Sequence, residues 1–114
     1  MIDAVFFYDG SLYTGFEISG HAMSAEYGRD LVCCAVSSAV YLTVNGISSV
    51  AGAPHRVAEK DGFLRLALLD GNESAQAMVK SLKLHLNELS KLYSENIRVR
   101  VRITKRSKNM DDWR

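Results

Sequence analysis

Hydrophobic and polar positions recur along this chain with two distinct periods, and each stretch predicts an element. Ile2 to Tyr8 is dense in β-branched and aromatic residues, Asp9-Gly10 is a turn pair, and Leu12, Thr14, Phe16 and Ile18 follow at period two. That pattern predicts a β-hairpin. From Gly20 to Arg29 neither the strand period nor the helical one holds, and Gly20 and Gly28 bracket the stretch, which predicts a loop long enough to carry function. Asp30 then opens a segment in which Leu31, Ala35, Ala39 and Leu42 recur at helical spacing, with Val32, Val36 and Ile47 on the same broad face. The expectation is a helix from about Leu31 to Ser49. Its other side carries Cys34, Ser37, Ser38, Tyr41 and Asn45, a small, mildly polar surface able to meet another subunit or line a cleft, with Cys33 at the border.

Ala51-Gly52-Ala53-Pro54 breaks that helix. His55 to Lys60 and Phe63 to Asp70 then read as two strands joined by Asp61-Gly62, a second hairpin. Asn72 is placed to cap a second helix whose Ala75, Met78, Val79, Leu82, Leu86 and Leu89 form a continuous apolar stripe ending near Tyr93. Ile97, Val99, Val101 and Ile103 alternate with Arg98, Arg100 and Arg102, as on a strand with one buried and one solvated face. The order ββαββαβ predicts an α+β fold, a single-layer, mostly antiparallel sheet with two helices packed on one face. No repeat at a solenoid period interrupts this order.

Size and composition refine the picture in three places. With 114 residues, 47% hydrophobic and 24% charged, the chain is large enough to bury one core, so residues 1–104 are expected to form one domain and 105–114 a frayed basic tail. Fourteen basic and 13 acidic residues leave a formal net charge of +1, so nucleic acid or a membrane surface would have to be met by local clustering rather than a global field. No apolar run is seen to reach the roughly 18 residues of a membrane span, and Met1-Ile2-Asp3 does not resemble the start of a signal peptide. A soluble, unexported protein is the expectation.

The two cysteines, Cys33 and Cys34, are adjacent, which suits neither a disulfide framework nor a zinc site. Reduced thiols in the cytoplasm are expected, with no metal and no cofactor. With Asp30 as N-cap, Cys33 falls in the first helical turn, where unpaired N–H groups and the helix dipole favour an anion and hence a thiolate. His21 lies twelve residues earlier, at the mouth of the loop, so the chain can fold back and bring its imidazole to the Cys33 sulfur. A small packed cysteine and an exposed loop histidine fit the same spacing.

The string itself is more specific. Gly20-His21-Ala22, six residues from Met23 to Gly28, then Arg29-Asp30-Leu31-Val32-Cys33-Cys34-Ala35-Val36-Ser37 closely resembles the hallmark of the ribosomal-processing cysteine protease family, Prp. The resemblance extends over Ile2 to about Val101. It implies that His21 and Cys33 are the catalytic pair, that Asp30 and Ser37 occupy supporting positions, and that the protein is a homodimer. It further implies removal of an N-terminal extension from the large-subunit ribosomal protein L-twenty-seven, cutting after paired aromatic residues, in Firmicutes and related bacteria. Association with the ribosome would accompany that role. Cys34 stands where many relatives carry a small residue such as Ala, and the tail is longer than the family core.

Several roles stay open on sequence. Asp30 is either a helix cap or the group that orients His21, and Ser37 either bonds within the site or back to helix carbonyls. Gly20 and Gly28 are hinge candidates for a loop that closes over a peptide, whose Met23 and Tyr27 either line an apolar pocket or face solvent. His55 and His85 read as structural. Two other function classes compete: a non-enzymatic ribosome- or RNA-associated module using the Arg98, Arg100 and Arg102 face, and a thiol redox sensor using Cys33.

Overall fold

The computed structural model describes residues 1–20 and 30–104. Its strands are β1 (Ile2–Tyr8), β2 (Tyr13–Gly20), β3 (His55–Lys60), β4 (Phe63–Leu68) and β5 (Ile97–Ile103), and its helices are α1 (Asp30–Asn45) and α2 (Glu73–Leu92). The expected loop between Gly20 and Asp30, with His21, Met23, Tyr27 and Gly28, and the expected tail from Lys105 lie outside the described residues.

The five strands form one sheet in the order β3-β4-β2-β1-β5. Three pairings are antiparallel and β1–β5 is parallel, because α2 carries the chain from β4 across to the far edge. The α+β expectation holds. At the first turn Asp9 Oδ1 accepts from the N–H groups of Ser11 and Leu12, at 2.9 and 2.7 Å, the side-chain bonding for which aspartate is favoured in turns. Period two then sends Ile2, Ala4 and Phe6 of β1, Phe16 and Ile18 of β2, and Leu64, Leu66 and Leu68 of β4 into the core. Phe6 and Phe16 are fully buried with ring centroids 5.9 Å apart, a pair whose burial alone is worth roughly 2–3 kcal/mol per ring.

α2 follows its expected course. Asn72 caps it by accepting from the Ala75 N–H at 2.9 Å, and Ala75, Val79, Leu82 and Leu86 are buried. Gln76 is the unforeseen member of that face. It is 5% exposed, takes the Tyr13 N–H on Oε1 at 2.9 Å, and donates through Nε2 to the Tyr13 carbonyl at 2.7 Å. One amide thus satisfies both backbone groups of the residue that opens β2. Gln76→Ala would strand those groups, and the expected loss of unfolding free energy is about 2 kcal/mol, read as a lower urea midpoint at unchanged m. A loss under roughly 0.5 kcal/mol would show that water replaces the amide.

α1 differs from expectation in its orientation. The buried line is Val32, Val36, Val40 and Ile47, whereas Leu31 and Leu42 are 70% and 75% exposed. The β-branched line wins the sheet because it runs at spacings of four from Val32 to Val40, while the Leu31–Leu42 stripe lies to one side of it. The helix also ends differently: after Asn45 it widens into a π-helical turn, Gly46–Val50, closed by the Ala51 N–H on the Gly46 carbonyl at 2.8 Å. A Cβ added to Gly46 would meet Met78 Sδ at 2.9 Å, so glycine permits the close crossing of α1 and α2. Contrary to the sequence expectation, Leu31–Val50 is long and apolar enough to match a membrane span by length and composition. In this fold its valine line covers the sheet.

The alternation in β5 also reads differently in three dimensions. Ile97 is buried, but Val101 and Ile103 are 43% and 69% exposed, on a strand that stands at the edge of the sheet. The arginines opposite are engaged rather than simply solvated. Arg98 and Arg100 share Asp3, at 3.3 and 2.9 Å. The Arg100 hydrogen bonds, aided by Arg98, hold the Asp3 carboxyl below its usual range against the opposing effect of burial.

Candidate active site

Local sequence decides where the thiols point. α1 begins at Asp30 itself, which makes that residue the first of the helix and keeps Cys33 within the first turn. Val32 and Val36 anchor the helix to the sheet, and this sets Cys33 half-buried at the edge of the core and leaves Cys34, one residue on, exposed.

Cys33 faces a groove of about 230 Å³ between α1 and the β3–β4 hairpin. The floor is apolar, made by Ile2, Ile18, Val36, Val40 and Leu64, and the rim is polar, made by Ser37, Tyr41, Glu59, Lys60 and Asp61. Cys33, Ser37 and Tyr41 follow one another at i, i+4, i+8 on one side of α1, so the weakly polar side of the helix lines a cleft. Cys34 is not among the groove residues.

Two contacts shape the groove ends. The Tyr41 hydroxyl donates to Glu59 and so ties α1 to β3. That hydrogen bond raises the phenol pKa above its ordinary value. Gly20 ends β2 in the left-handed region at φ +92°, paired with Ile2 and with its N–H on the Gly62 carbonyl at 3.0 Å. A Cβ there would lie 2.2 Å from the Met1 carbonyl oxygen. Glycine is what lets the chain leave β2 at the groove wall.

The sequence-predicted site residues divide accordingly. Cys33, Ser37 and Gly20 come together at one groove; Asp30 opens the helix that carries two of them. His21 and Gly28 lie outside the described residues. His55 contacts the Ala53 carbonyl at 2.8 Å through Nδ1, away from the groove. No three His, Cys, Asp or Glu side chains gather at metal-binding distance among the described residues. Sequence reasoning missed the opposite wall. Glu59, Lys60 and Asp61 carry no local signal for it, since only the pairing of β3 and β4 turns their hairpin toward α1.

A thiol in the first turn of a helix, above an apolar trench open to solvent, is equipped to attack a peptide held in that trench. The known proteins that this chain is similar to are cysteine proteases. The model of the family described as cysteine protease Prp matches residues 1–98. The ribosomal processing cysteine protease Prp of Bacillus subtilis is 30% identical over 95 residues, which cover 77% of this chain and 85% of that protein. Among solved structures, the ribosomal processing protease Prp of Staphylococcus aureus with a covalently linked product peptide has a TM-score of 0.82 at 27% identity, over 90% of this chain and 100% of that one. The same S. aureus protease with a substrate peptide has a TM-score of 0.81 at 26% identity, with the same coverage.

Proposed function

The chain belongs to the Prp family of cysteine proteases, and from that membership we propose that Cys33 is its nucleophile and His21 its base in removing an N-terminal extension from ribosomal protein L-twenty-seven. The observation that carries the assignment is the position of Cys33 in the first turn of α1 with its side chain in the groove, while Cys34 is outside it. His21 follows Gly20 in the chain, and Gly20 is a groove residue.

In the proposed reaction the Cys33 thiolate attacks the scissile carbonyl. His21 takes the thiol proton and returns it to the leaving amine. Water then hydrolyses the acyl-enzyme. Backbone N–H groups at the start of α1 are suited to the oxyanion, a contribution typically worth about 3 kcal/mol per donor. The covalent link between protease and product peptide in the S. aureus relative fits a covalent route of this kind.

The floor of Ile2, Ile18, Val36, Val40 and Leu64 suits large apolar side chains, which supports cleavage after paired aromatics. Purified protein is expected to cut a peptide containing Phe-Phe-Ala on the carboxyl side of the second phenylalanine, followed by mass spectrometry. Replacing both phenylalanines by serine is expected to reduce kcat/KM by about 10²-fold or more. Equal cleavage of the two peptides would sink the aromatic specificity and leave the peptidase assignment standing.

A homodimer and a cytoplasmic location belong to the same reading. Leu31 and Leu42 on the outer side of α1 supply apolar surface that a second copy would cover, and paired thiols such as Cys33 and Cys34 stay reduced in the cytoplasm.

A further inference from the structure

The two faces of the sheet differ in character. The helices pack on one. The other bears alternate residues of every strand, and arginine dominates it. The parallel β1–β5 register sets Asp3, Val5 and Phe7 beside Arg98, Arg100 and Arg102. Across the sheet, Glu17 pairs with Arg65, and Arg56 sits opposite Ala67. Among the described strand residues, five guanidiniums therefore share this face with two carboxylates, Asp3 and Glu17. That local surplus exceeds the formal net charge of the whole chain, +1.

The arrangement is ordered. Phe7, only 8% exposed, lies beneath the guanidiniums of Arg65 and Arg102, at 5.0 and 5.9 Å from its centroid. Stacking of this kind holds a guanidinium flat, and Arg65 is also ion-paired with Glu17 at 3.8 Å. Asp3 binds Arg100 through both oxygens, at 3.2 and 2.9 Å, and Arg98 through one, at 3.3 Å, so one carboxylate orients two cations and neutralises one. Along β5 the arginines recur about every 6.7 Å, and a guanidinium fork matches a phosphate oxygen pair.

We propose that this face binds the phosphodiester backbone of double-helical RNA, without reading sequence. Repeated forks on a flat sheet suit a repeating polyanion. Base stacking is disfavoured because the aromatic rings here are already capped, Phe7 by two arginines and Phe63 by Lys60 at 5.6 Å. Among the described residues of this face no large apolar side chain is fully exposed for a bilayer to take up, and a second copy of the chain would oppose arginine with arginine. The choice of RNA over DNA rests on the proposed ribosomal-protein substrate. The backbone chemistry rests on the face alone.

The test is fluorescence anisotropy of a labelled RNA duplex of about 16 base pairs, titrated with the intact protein at several salt concentrations, with peptide cleavage measured in parallel. Expected is a dissociation constant in roughly the micromolar range at low salt, with a log–log salt slope of about −2 to −3. Arg98→Gln combined with Arg102→Gln should weaken binding about tenfold or more and flatten the slope by about 2, with cleavage within about twofold of the parent. Arg56→Gln alone, on β3 at the sheet edge opposite β5, should also weaken binding and guards against a local packing effect. No binding at low salt, unchanged binding by all variants, or tighter binding to phosphatidylglycerol vesicles would overturn the proposal. So would equal affinity for a DNA duplex, or dissociation of an oligomer by the double variant, which would make the face a protein interface. Loss of peptide cleavage in the parent protein, with RNA binding intact, would count against the protease assignment and not against this face.

Discussion

Cys33→Ala is expected to lower kcat/KM for the Phe-Phe-Ala peptide by about 10⁴-fold or more, while Cys34→Ala stays within about threefold of the parent. The two thiols are neighbours in sequence, but a helix turns about 100° per residue, and the valine line on α1 fixes which of them reaches the groove. Cys33 lines it; Cys34 is exposed and outside it. His21→Ala should match Cys33→Ala in severity, and the double variant should be little worse, because nucleophile and base act as a unit whose losses do not add. Cys33→Ala should still bind peptide, since only the attacking atom is gone. A dead Cys34→Ala with an active Cys33→Ala would shift the nucleophile by one residue. Normal activity in both would remove the thiol mechanism altogether.

Gly20→Ala is expected to reduce cleavage by about 10²-fold, the scale on which a misplaced catalytic group loses rate, and to destabilise the fold by about 2 kcal/mol. The residue combines φ +92° with a Cβ position 2.2 Å from the Met1 carbonyl oxygen. No rotamer relieves a clash between two backbones, so the end of β2 must shift, and with it the point from which His21 departs. Gly52→Ala is the matched comparison. Gly52 also has positive φ, +62°, but nothing lies within 4 Å of its added Cβ, so it should lose about 1 kcal/mol and leave cleavage unchanged. Equal cleavage by Gly20→Ala and the parent would mean that the geometry at the end of β2 does not govern the reaction.

Features written in local chemistry were legible before any packing is considered. The Asp9-Gly10 and Asp61-Gly62 turns, the Asn72 cap and the Ala75–Leu86 stripe each encode an element within a few residues, and all appear where their patterns put them. The α+β order and the position of Cys33 in the first turn of α1 were legible for the same reason. Tertiary structure decided the rest, because it depended on competition or on distant partners. Two apolar stripes on α1 competed for the sheet, and only packing against β1, β2 and β4 selected Val32, Val36 and Val40 over Leu31 and Leu42. Gln76 reads as an ordinary polar helix residue until α2 docks it on Tyr13. The groove joins Cys33 to a hairpin nearly thirty residues away. The arginines of β5 became one surface with Arg65 and Arg56 only when the parallel β1–β5 pairing closed the sheet order. A periodic pattern states which side of an element is apolar; it carries no term for which neighbour that side will meet.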